Sequence, residues 1–172
     1  MRRYVDTPGH GTILYRMRRE QFELDVRNIE WVETDGEPCQ PLARITVSGN
    51  TDQLQARLRD VDGERLTADM VDVAYRLKAS VEDDPTAIGV VGVANRLTGD
   101  FIFETNEDAD DVFQFIHAAR EYGREANTPD RYRIEIVVDG ETIRFDKGTF
   151  LVYDDDGELL RSQSLIPSGV EL

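Results

Sequence analysis

The chain has 172 residues, 40% of them hydrophobic, enough for one domain with a buried core and too apolar for disorder throughout. Its net charge of −15 sets 35 Asp and Glu against 20 Lys and Arg, which disfavours electrostatically driven binding of nucleic acid, since phosphate recognition relies on a basic surface. Cys39 is the sole cysteine, so no intrachain disulfide can form, and no apolar run approaches the ~20 residues of a membrane-spanning helix.

The acids are spread along the whole chain, and 18 of the basic residues are Arg, with only Lys78 and Lys147 as lysine. That pattern has two readings, an acidic partner for something basic and adaptation to high salt, and the even spread of the acids favours the second. Hydrated carboxylates keep the surface solvated, and their repulsion is tolerable where the Debye length falls to about 3 Å at 1 M salt. Stability is then expected to rise with KCl. An apolar signal-peptide core is missing from the N-terminal stretch, which makes a soluble cytoplasmic protein the default expectation.

Residues 1–16 have no clear period and contain Pro8, Gly9 and Gly11, and they are read as a poorly ordered extension. Met17 follows directly, so translation can start at Met1 or at Met17. From Phe22 the alternation of Phe22, Leu24 and Val26 predicts a strand. The apolar parity then moves to Ile29 and Trp31, which predicts a bulge or bend near Arg27 and Asn28. Ala43, Ile45 and Val47 make the next strand. Thr51–Leu58 reads as a short helix. Val71, Val73, Tyr75, Leu77 and Ala79 alternate with polar residues, the mark of a half-buried strand. Ala87–Ala94, AIGVVGVA, is a continuous apolar run and reads as a central strand.

The one long helix is predicted at about residues 107–125. Thr105 or Asn106 is the expected cap, with Asp108 completing a capping box, and Ala109, Val112, Phe113, Phe115, Ile116, Ala119, Tyr122 and Gly123 fall on one arc. The acidic first turn is read as helix-dipole pairing and solvation. After it, Asp139-Gly140 predicts a two-residue hairpin in which Ile134 faces Phe145, Ile136 faces Ile143, Arg133 faces Asp146 and Glu135 faces Arg144. A second hairpin is expected around Asp155-Asp156-Gly157, from Thr149–Tyr153 to Leu159–Ser164. The fold class is therefore α+β, mostly antiparallel β meanders and hairpins with the long amphipathic helix packed on a sheet. A single domain over 17–172 is expected, with two lobes (17–105, mainly β, and 106–172, helix plus four-strand meander) as the alternative division.

No residue earns a catalytic, cofactor-binding or metal-binding role from the sequence. His10 sits in the N-terminal stretch and His117 on the polar arc of the helix. No motif flanks Cys39 to suggest a Cys–His pair. Asp154-Asp155-Asp156-Gly157 fails the calcium-loop pattern, since its twelfth position is Leu165 rather than Glu. It reads as a solvated turn, as does Asp60-Val61-Asp62-Gly63. The glycines of residues 7–12 and 89–92 lack the spacing of phosphate loops. Trp31 reads chiefly as partial core.

Three segments, FELDVRNIEWVETDGEP (Phe22–Pro38), TGDFIFETNEDADDVFQFIHAAREYG (Thr98–Gly123) and KGTFLVYDDDGELLRSQSLIPSGVEL (Lys147–Leu172), resemble a family of uncharacterised haloarchaeal proteins. The resemblance runs from about Met17 to the end. It implies a salt-adapted cytoplasmic protein starting near Met17, and it carries no activity, cofactor or catalytic residue. The leading expectation is a non-enzymatic binding or regulatory module acting through protein–protein contact, with no cofactor and with another protein as partner. The alternative is a small-ligand binder or hydrolase-type enzyme using dispersed carboxylates in a pocket.

Overall fold

A computed structural model describes residues 22–79 and 87–167. The expected extension over 1–16, His10 and Met17 lie outside these. The described strands are β1 (Phe22–Arg27), β2 (Leu42–Val47), β3 (Val71–Leu77), β4 (Ile88–Asn95), β5 (Phe101–Asp108), β6 (Tyr132–Val138), β7 (Glu141–Lys147) and β8 (Leu151–Tyr153). The helices are α1 (Trp31–Thr34), α2 (Asp52–Arg57) and α3 (Ala109–Ala126).

The strands form two sheets, ordered β1-β2-β6-β7 and β5-β4-β3-β8. Hairpin neighbours pair antiparallel, whereas β2–β6 and β3–β8 are parallel. The fold is thus mixed α+β, rich in strands and chiefly antiparallel. The β6–β7 hairpin has the expected register, Ile134↔Phe145 and Glu135↔Arg144 included. Its loop residues Asp139 and Gly140 take φ of 52° and 78°, the left-handed pair that such a turn demands. Beyond β7 the chain leaves this sheet, and β8 joins β3 in the other one. A short bridge from Tyr153 to Leu159 is what remains of the second hairpin.

The apolar faces of the two sheets meet. Phe22 of β1 touches Phe103 of β5 edge to face, with ring centroids 5.2 Å apart. Leu24, Ile45, Ile134, Ile136, Ile143 and Phe145 are buried on the first sheet, and Val71, Val73, Tyr75, Leu77 and Val93 on the second. Burial of this size, at roughly 1.5–3 kcal/mol per large apolar side chain, is what outweighs chain entropy. β1 ends at Arg27, and the expected change of direction is a bend at Asn28 rather than a bulge. Asn28 turns into the left-handed region (φ 68°), and Trp31 opens the one-turn helix α1, half-buried, with Nε1 donating to the Asn28 carbonyl at 2.6 Å.

The start of α3 corrects the expected cap. Strand pairing continues through Ile88↔Asp108, so Thr105 and Asn106 belong to β5 and the helix begins at Ala109 with no loop. Asp108 occupies the cap position and makes no side-chain cap bond. Glu107, expected to be solvated, is 3% exposed, and its carboxylate accepts a 3.0 Å bond from the Thr105 hydroxyl. The strand parity Phe103–Thr105–Glu107 places all three inward. At its far end α3 closes on Asn127 in the left-handed conformation. Phe115 meets Tyr132 and Phe150, and Phe113 meets Tyr75, so the helix is pinned to residues of both sheets.

Tyr75 and Tyr132 are fully buried, and desolvation pushes both phenols well above the ordinary tyrosine range. Each is raised in the folded state, so the native chain keeps protons that the unfolded chain releases above pH ~10. Stability is therefore expected to fall as pH rises past that point, by about 1.4 kcal/mol per pH unit per tyrosine. Denaturant midpoints across pH 9–12 measure it, and Tyr132→Phe should shallow the slope.

Candidate functional site

The outer face of the second sheet is built from alternate residues of four strands. Register aligns Leu151, Ala74, Gly92 and Glu104 in one row, and Tyr153, Arg76, Val90 and Asn106 in the next. Asp72, Ala94 and Phe101 make a third. The floor is small and apolar, and Ala74, Val90, Gly92, Ala94 and Phe101 are all half-exposed. Gly92 lets the Phe101 ring lie across the sheet: a Cβ there would stand 3.0 Å from Phe101 Cε1. The result is an open depression of about 510 Å³ whose rim carries Asp72, Arg76, Lys78, Glu104 and Asp155.

Most arginines of the described chain face a carboxylate. Arg96 holds Asp72 at 2.8 Å, Arg65 holds Glu141 at 2.6 Å, and Arg124 pairs with Glu121. Arg76 and Lys78 have no such partner among the described residues, although both are exposed on this rim.

The outer face of the first sheet differs. Glu135 is 4% exposed and clamped by Arg44 at 2.9 Å and Arg144 at 3.2 Å, while Arg133 holds Asp146 at 2.9 Å. The Arg133 hydrogen bond keeps the Asp146 carboxyl below its usual range. This ladder satisfies itself and offers little to a ligand.

Between the sheets lies a cavity of about 70 Å³ lined by Leu24, Ile45, Val93, Phe103, Val112 and Ile134 among others. It is about half the ~150 Å³ that accommodates a benzene-sized guest. The residues singled out from the sequence do not converge. His117 is exposed on the polar side of α3, and Cys39 is exposed in the loop before β2. Asp154, Asp155 and Asp156 lie close together, yet the Asp154 carboxylate accepts from the backbone N–H of Asp156 and Glu158 at 2.9 and 2.8 Å. Asp60 does the same for Asp62 and Glu64. Both are turn-forming aspartates. No helix among the described residues is long and apolar enough to cross a membrane.

Residues 17–172 match a family of unknown function (DUF5793), and the chain belongs to it. No curated protein and no solved structure gives a match.

Proposed function

We propose that this member of the family is a non-enzymatic binding or regulatory module that acts through protein–protein contact, with the outer face of the second sheet as its docking surface. The carrying observation is the pair Arg76 and Lys78, without carboxylate partners among the described residues, beside a half-exposed apolar floor in a chain of net charge −15. The small floor residues Ala74, Val90 and Ala94 let a partner backbone come close, while the Phe101 ring, lying across Gly92, and Tyr153, on the next strand over, supply aromatic contact. The segment that fits combines apolar residues with carboxylates. Two negative surfaces can meet this way because at molar salt the long-range repulsion is screened, leaving contact pairs and apolar burial to decide. A salt-adapted cytoplasm, read from the charge balance, is the setting this mechanism requires.

A second reading uses the same depression as a small-ligand or hydrolytic pocket, since about 510 Å³ lies within the size range of ligand sites. Against it, Asp72 is already committed to Arg96. Affinity capture from lysate kept at molar salt separates the two. Wild-type bait is expected to retain a discrete protein, and Arg76→Glu with Lys78→Glu to retain about tenfold less, near the 1.4 kcal/mol of one contact pair. Recovery of free bait alone, or equal retention by both baits, contradicts the docking surface.

A further inference from the structure

We infer that the C-terminal end of α3 carries an oxyanion-binding site built on Arg131, separate from the sheet face, with the Arg120 charge behind it rather than in its wall. Arg131 precedes β6, and its side chain lies flat on α3. A Cβ at Gly123 would stand 2.7 Å from Arg131 Cγ, so only glycine there lets the arginine pass. Arg131 Nη1 donates to the Ile166 carbonyl at 3.1 Å. Arg120 Nη2 donates to the Ser164 carbonyl at 2.9 Å and weakly to that of Ser162 at 3.4 Å. Two guanidiniums are thus anchored on one short stretch of backbone.

Carbonyl bonds hold a guanidinium without neutralising it. Neither arginine has a carboxylate partner among the described residues, whereas Arg124, next to them on α3, pairs with Glu121. Each guanidinium is anchored through one Nη, and its other N–H groups are directed at no acceptor among the described residues. Burial, and then the Arg120 charge, hold the Arg131 guanidinium below its ordinary range. Arg131 lines a depression of about 550 Å³ together with Gly123, Thr128, Asp130, Gly148 and Thr149. Thr128 and Thr149 line the same depression, and the Thr128 hydroxyl, which accepts from the Asp130 N–H at 3.1 Å, keeps its own proton to donate, so an anion entering it would find a planar fork with neutral donors nearby. Gly148 gives the wall its shape, because a Cβ there would run into the Pro129 carbonyl oxygen. Two features weaken the site: the Asp130 carboxylate shares the depression, and the helix ends nearby with its negative pole. A tetrahedral or planar oxyanion with at least two oxygens is the ligand class, either free phosphate or a carboxylate.

The test is a ¹⁵N NMR titration of the full chain with inorganic phosphate and, separately, with acetate, each against KCl at matched ionic strength. Saturable shifts of the Thr128, Gly148 and Thr149 amides are expected with one of the oxyanions, and which one responds identifies the source. Arg131→Gln should weaken that response at least tenfold, and Arg120→Gln should weaken it less. The glutamine side chain ends two bonds before the Nη1 that bonds the Ile166 carbonyl, so the amide spectrum of Arg131→Gln in KCl alone checks that the fold survives before either oxyanion is added. Thr149→Val supplies a second variant, expected to weaken binding without touching either arginine. Equal shifts with KCl, shifts unchanged in Arg131→Gln, or no saturable shift with either oxyanion would overturn the site.

Discussion

Gly89→Ala is expected to remove about 3 kcal/mol or more of stability, although it adds a single methyl group. Gly89 faces inward from the middle of the second sheet, between Leu77 of β3 and Glu107 of β5. A Cβ there would lie 2.6 Å from Tyr75 Cζ and closer still to the Arg76 carbonyl oxygen. The ring cannot swing aside, because Tyr75 is fully buried and its hydroxyl donates to the Glu107 carbonyl at 2.8 Å. Either the β3–β4 ladder opens or that hydrogen bond breaks. Gly92→Ala, on the outer face of the same strand, meets only the Phe101 ring at 3.0 Å and should cost under about 1 kcal/mol. Denaturant unfolding of both variants measures the contrast. Adding Tyr75→Leu to Gly89→Ala should recover part of the loss, a coupling expected only if the ring is the obstacle.

Lys147→Met is expected to cost about 2–4 kcal/mol, most of it from acceptors left bare. Lys147 ends β7 with 7% of its surface exposed, and its Nζ donates to the carbonyls of Ala68 and Val71 at 2.6 Å each. It therefore straps the last strand of one sheet to the lead-in of the other, and methionine fills the space without donating. Burial and the nearby Arg96 hold its ammonium below the ordinary lysine range, against the pull of Asp72 and Asp69. The sign follows from proton counts. Between the folded value and ~10.5 the unfolded chain binds the extra proton, so this residue adds stability as pH rises through that window. The stability gap between wild type and Lys147→Met should therefore widen with pH there, a direction opposite to that of the buried tyrosines. A gap constant from pH 7 to 10 would contradict the strap as described.

What the sequence revealed was local. The β6–β7 hairpin was readable to the residue because turn, apolar face and charge pairs all lie within about fifteen positions of one another. The pairings β2–β6 and β3–β8 were not readable, since they join segments far apart in the chain and leave no periodic trace. The cap of α3 misled for a physical reason: Thr105-x-x-Asp108 satisfies a capping pattern, but the same residues also continue a strand alternation, and pairing with β4 prevailed. The docking face had a partial signal in Ala87–Ala94, whose apolar residues on both parities suggested burial on both sides. The structure buries one side and leaves Val90, Gly92 and Ala94 half-exposed. The arginine pair had a fainter one: Arg120 has no acid three or four positions away on α3, where Arg124 has Glu121.

The most direct test of the docking face is a photo-crosslinking amino acid placed at Ala74, with a control at Thr46 on the outer face of the first sheet, in cells grown at molar salt. A discrete adduct from position 74, missing at position 46 and lost when Arg76→Glu is added, is the predicted result. Identical adducts from both positions, or none from position 74, would contradict it.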